Sequence, residues 1–171
     1  TNPLKIVTYD RYFEHLVRQN LEILGFETER LSERDPGNPD IRAYFRLYPK
    51  EIFDVECTTE NVYDVNKLYT DYAKFMAERE EYGFTRLLIV PLTLNIVGGV
   101  PDKIREYHES ITLIRYADLL QLVEQRRVGI MSKEETYIHL TQRGEVPSFP
   151  MKYYVDPVPK KQVALEFLYR F

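Results

Sequence analysis

Pro39-Asp40-Ile41-Arg42-Ala43, followed by Phe53-Asp54-Val55-Glu56-Cys57-Thr58-Thr59, is the stretch whose reading decides the fold. Residues 41–47 and 52–58 read as two strands joined at Tyr48-Pro49-Lys50, a hairpin. Side chains alternate along a strand, so Asp54, Glu56 and Thr58 point to one side and Phe53, Val55 and Cys57 to the other, toward a helix. Asp40, at the start of the neighbouring strand, brings another carboxylate beside them. Two readings stand at this point. The polar face is the solvated side of an edge hairpin, or it is a set of hard oxygen ligands suited to Mg²⁺ or Mn²⁺, which keep waters and accept a phosphate oxygen.

Working outward, residues 10–24 have the helical spacing of an amphipathic segment, with Phe13, Leu16, Val17, Leu21 and Leu24 on one face and Asp10 as N-cap. Gly25 ends it, 26–31 is extended, and Asp35-Pro36-Gly37-Asn38-Pro39 is a turn. After the hairpin, residues 62–81 carry a long helical pattern. Leu87-Leu88-Ile89-Val90 is the core of a strand buried on both faces, over 86–91. A helix over 98–108, a strand over 111–114 and a helix over 116–127 follow. Ser132 and Glu135 have capping-box spacing and open one more helix, to about residue 141. A helix, three strands and then alternating helices and strands predict an α/β domain with a mixed central sheet flanked by helices. The expected domain covers 1–149. The proline-punctuated segment 150–171 reads as an extension that packs on the domain or on a partner.

The chain of 171 residues suits one globular domain. No apolar run approaches a membrane span, no secretory leader is legible at residues 1–7, and a single cysteine fits a reducing interior, so the expected location is cytoplasmic. With 23 basic against 27 acidic residues the formal charge is −4, the reverse of the basic footprint of a free-standing DNA binder. Either the positive charge gathers on one face, or another domain or subunit supplies most of the DNA affinity. The 14 tyrosines serve cores, interfaces or base stacking alike. His15, His108 and His139 lack ligand spacing, and Gly98-Gly99 lacks the rest of a phosphate loop.

Phe13-Glu14 in the first helix, Leu24-Gly25-Phe26, Arg30, Pro39-Asp40 and the acidic third strand follow an order that resembles the PD-(D/E)XK nuclease core. Ile111-Thr112-Leu113-Ile114, Ala117-Asp118-Leu119-Leu120, the segment from Gly129 through Glu135, and Gly144-Glu145-Val146-Pro147-Ser148-Phe149 extend the likeness. Together they are similar to the cleavage domain of type IIS restriction enzymes of the FokI/AlwI-like group, over about residues 13–149. The resemblance implies a restriction-endonuclease-like core and Mg²⁺- or Mn²⁺-dependent hydrolysis of DNA. It makes Asp40 and Glu56 the metal-binding acids, adds Glu14 from the first helix, and implies a homodimer or a separate DNA-recognition domain or subunit. The backbone carbonyl of Cys57 is a further metal ligand in this reading, and Asp54 an auxiliary acceptor; the Cys57 thiol itself is a packed core group.

One departure stands out. The family has lysine two residues after the strand acid, where this chain has Thr58. A threonine hydroxyl holds a water but carries no charge, so Lys67 or Lys74 on the following helix is expected to restore the cation. Asp71, Lys74 and Arg79 are that helix's candidates for a dimer contact. The alternative is a catalytically degenerate module that keeps the nuclease fold for dimerisation or DNA docking.

Overall fold

The computed structural model describes residues 9–30, 40–48, 51–67, 86–98, 111–141 and 144–145. Helix α1 (Tyr9–Leu24) leads into strand β1 (Phe26–Arg30), and the turn between them rests on Gly25, whose φ of +106° suits a residue without a side chain. Strands β2 (Ile41–Phe45) and β3 (Ile52–Thr58) form the expected antiparallel hairpin, with β1 added antiparallel to β2. Strand β5 (Arg86–Pro91) pairs parallel with β3, β7 (Ile111–Leu113) parallel with β5, and the two-residue β8 (Gly144–Glu145) parallel with β7. The six-stranded sheet has the order β1-β2-β3-β5-β7-β8 and is therefore mixed, as the order of elements predicts.

Each face of the sheet has its own core, for a reason legible in β5. Leu88 and Val90 point to one side, where Phe13, Val17, Leu21 and Leu24 of α1 pack with Leu119 and Leu122 of helix α2 (Tyr116–Arg127). Leu87 and Ile89 point to the other, with Tyr63, Val65, Ile111 and Leu113. Burying a large apolar side chain contributes about 1.5–3 kcal/mol, so a strand apolar at every position is stable only when covered on both sides. Helix α3 (Lys133–Leu140) begins with the expected capping box: the Glu135 amide donates to Ser132 Oγ at 3.1 Å and the Ser132 amide donates to Glu135 Oε2 at 2.7 Å. Among the described residues, no helix is long and apolar enough to cross a membrane.

The structure departs from expectation in three places. Tyr63–Asp64 is strand β4, paired parallel with β6 (Ile96–Val97), not the opening of a helix at residue 62. Tyr63 and Val65 alternate into the second core, and this period of two is masked in the sequence by the helical spacing that follows. Helix α1 already includes Tyr9, which puts Asp10 in its first turn instead of at the cap. Strand β2 stops at Phe45, because Tyr48 N–H turns back to the Phe45 carbonyl at 3.0 Å. The turn expected at 35–39, most of the 62–81 pattern, nearly all of the 98–108 helix, and the segment 150–171 lie outside the described residues.

Candidate active site

The hairpin register brings the predicted acids together. Ile41 stands opposite Val55 and Arg42 opposite Asp54, so one further step of the same register sets Asp40 beside Glu56. Directly opposed residues in an antiparallel pair hold their Cβ atoms about 4.5–5.5 Å apart. The amide of Cys57 donates to Asp40 Oδ2 at 2.7 Å, which fixes the Asp40 carboxylate against β3 where β2 begins. A strand residue presents its N–H and C=O to the same neighbour, so the Cys57 carbonyl is directed to the Asp40 side.

A third carboxylate approaches from α1. Glu14 is nearly buried at 9% exposure and forms an ion pair with Arg30 of β1 at 3.3 Å, while Arg18 pairs with Glu22. The surface pair of Glu14 with Arg18 that helical spacing allows is thus replaced by a tertiary one. Burial pushes the Cys57 thiol well above its ordinary range, and the negative fields of Asp40, Glu14 and Glu56 push it further. That shift reflects the fields of all three carboxylates at one cysteine. It also keeps the thiol protonated at neutral pH, which leaves Cys57 its carbonyl, not its sulfur, as a donor to a hard cation.

Asp54 has another role. It is 1% exposed and accepts from Arg42 Nε at 3.1 Å, on the same sheet face as Glu56. Burial raises its pKa, and the hydrogen bond and charge of Arg42 offset that only in part. The arginine was the missing element in the sequence reading. Its signal was available, since residues 42 and 54 fall opposite each other once the hairpin register is set.

Thr58 closes β3, and its hydroxyl accepts from the Glu60 amide at 3.4 Å. Lys67 is exposed and paired with Glu60, two residues beyond Thr58. Lys74 lies outside the described residues. The Thr59 hydroxyl donates to Asp10, a contact that ties the first turn of α1 to the end of β3. Among the described residues, no three His, Cys, Asp or Glu side chains are grouped so as to hold a metal ion; what the hairpin register offers is two carboxylates, Asp40 and Glu56.

A helix leading into an antiparallel hairpin, with parallel strands continuing the sheet from the acid-bearing strand, defines a restriction-endonuclease-like fold. Solved structures that it resembles include restriction enzymes. The chain superposes on restriction endonuclease FokI bound to DNA with a TM-score of 0.63 at 15% identity over 81% of its length, and on FokI alone with a TM-score of 0.60. It spans 28% of the FokI chain. It also superposes on the small subunit, R.BspD6I2, of the heterodimeric restriction endonuclease R.BspD6I, with a TM-score of 0.51 at 13% identity, covering 92% of this chain and 87% of that one. No protein-family profile and no curated protein sequence matches the chain.

Proposed function

We propose that this chain is a metal-dependent endonuclease that hydrolyses DNA phosphodiester bonds, the cleavage module of a restriction or defence enzyme. The reading is supported by the hairpin register, which continued one step beyond Ile41–Val55 puts Asp40 opposite Glu56, and by the Cys57 amide, which donates to the Asp40 carboxylate. Two adjacent carboxylates and a carbonyl on the same side form a donor set that fits Mg²⁺ or Mn²⁺, which take one or two carboxylates and leave the remaining positions to water and phosphate. When bound there, such an ion polarises the phosphoryl oxygen and lowers the pKa of water. Asp40 and Glu56 provide the negative charge that holds it, and Glu14 adds to the field. The Thr58 hydroxyl, already accepting from the Glu60 amide, has its proton to donate toward a water beside the phosphate. Lys67, leaving Glu60, offsets charge that develops on the phosphate.

Cleavage of supercoiled plasmid with Mg²⁺ or Mn²⁺ tests this. Asp40→Ala and Glu56→Ala are each expected to lower the rate by about 10²-fold or more, and chelator to abolish it. Thr58 in the place of lysine is the observation that favours the second reading, a nuclease-fold module that binds without cutting. No cleavage by the wild-type chain with either metal at high protein concentration selects that reading.

A further inference from the structure

Among the described residues at the end of the sheet that carries Asp40 and Glu56, three arginines are engaged by this chain's own acids. Arg30 pairs with Glu14 at 3.3 Å, Arg42 with Asp54 at 3.1 Å, and Arg115 with Asp118 at 2.7 Å. Duplex DNA is held chiefly by Lys and Arg contacts to phosphate, with a steep salt dependence. A chain of net charge −4 with these three arginines already paired is less well equipped for that mode.

Aromatic surface at the same end is open. Tyr9 is 65% and Tyr12 54% exposed, and a spacing of three residues makes them neighbours on the surface of α1. The Thr59 hydroxyl donates to Asp10, between them, and so anchors this turn to the end of β3. Thr59 is three residues past Glu56, about 10 Å of extended chain. The next residue of the helix, Phe13, packs edge-on against Tyr116 at 5.0 Å, and the Tyr116 hydroxyl accepts from Asn20 at 3.2 Å. The two exposed rings therefore stand on a braced turn tied to the end of the strand that carries Glu56. Tyrosine faces bind unpaired bases by stacking, which is tolerant of sequence; bases stacked within a duplex present no free face.

We propose that Tyr9 and Tyr12 form a stacking platform for unpaired nucleotides next to the scissile phosphate, so that the preferred substrate is DNA with a single-stranded segment. The inference rests on the nuclease reading for the phosphate, but binding without metal tests it separately. Fluorescence anisotropy in chelator compares a labelled single-stranded oligonucleotide, the matched blunt duplex and a duplex with a single-stranded flap, from 50 to 200 mM salt (concentrations of about this range resolve phosphate contacts). The single strand and the flap are expected to bind more tightly than the blunt duplex, and to keep that advantage as salt rises. Tyr9→Ala with Tyr12→Ala is expected to weaken single-strand binding by about 10-fold or more. Tyr9→Phe with Tyr12→Phe should retain it, while Tyr9→Leu with Tyr12→Leu, which keeps apolar bulk and removes the π face, should not. Equal or tighter binding of the blunt duplex overturns the proposal, as does unchanged single-strand affinity in the alanine and leucine pairs. Loss of plasmid cleavage with single-strand binding intact overturns the nuclease reading and leaves the platform standing.

Discussion

Glu56 and Asp54 are two residues apart on one face of β3, and their neighbours across the hairpin give them opposite tasks. Glu56 lies one register step beyond the Ile41–Val55 pair, opposite another acid, Asp40, which suits a cation on the proposed reading; Asp54 is buried beside the partly buried Arg42. Removing one partner of a buried pair leaves the other charge uncompensated, at about 3–5 kcal/mol. Arg42→Ala is accordingly expected to destabilise the fold by about 3 kcal/mol in urea unfolding, whereas Arg42→Met combined with Asp54→Leu costs much less. A cost for the double variant as large as for Arg42→Ala would show that packing, not charge, holds the pair. Thr58 carries a second prediction at this scale. If the Asp40–Glu56 arrangement is competent and lacks only a cation, Thr58→Lys raises the plasmid cleavage rate by about 10-fold or more. An unchanged rate would place the needed charge elsewhere, on Lys67 first. The acids and the threonine were legible as residue types on one strand face. The Arg42 pairing was not, because it depends on register.

Among the elements, the far end of β3 is tied down by a separate polar cluster. Glu51 accepts from Arg86 Nε of β5 at 3.0 Å and from the Tyr137 hydroxyl of α3, and the Tyr48 ring lies 4.4 Å from that of Tyr137. Burial alone would raise the Glu51 pKa, but the bonds from Arg86 and Tyr137 outweigh it and hold the carboxyl below its ordinary 4.5. A carboxyl depressed in the folded state stabilises the fold above its unfolded value, and that contribution is lost as pH falls through the lower folded one. Glu51→Gln is thus expected to flatten the fall in urea midpoint below about pH 4.5, with little change in slope between pH 5 and pH 8. Tyr137 gives the mirror effect: burial, then its bond to Glu51, pushes its pKa up to about 12, so its contribution is kept below its ordinary value of 10 and lost toward that limit. Ultraviolet titration of Tyr137→Phe against wild type would show one late-titrating phenol missing. None of this cluster could be inferred from local pattern, since Glu51, Arg86 and Tyr137 come from a turn, a strand and a helix that meet only in the fold.

At the scale of the whole molecule, the number of copies governs what the proposed nuclease would cut. On that reading one acidic site would break one strand, so a double-strand break would need a second copy or a partner subunit. At protein concentrations below saturation, nicking by the isolated chain is expected to rise in proportion to concentration and linearisation of plasmid roughly as its square. Linearisation that stays first order would mean that a single copy cuts both strands in turn.

The succession of elements was determined by the sequence alone. Helical spacing in α1, the run Leu87-Leu88-Ile89-Val90, and the Ser132–Glu135 cap are local patterns, and each encodes its element without help from distant residues. Even so, the strand at Tyr63–Asp64 was hidden, because two residues of alternation carry little signal beside a longer helical period. The presence of acids at positions 40, 54 and 56 was equally plain. Which of them face each other was decided only by tertiary structure. Register sets Asp40 beside Glu56 and gives Asp54 to Arg42; docking of α1 turns Glu14 from a surface residue into a buried partner of Arg30. The reason is physical: residue type fixes what a side chain can do, but a carboxylate's field, burial and partners are set by groups that lie far away along the chain.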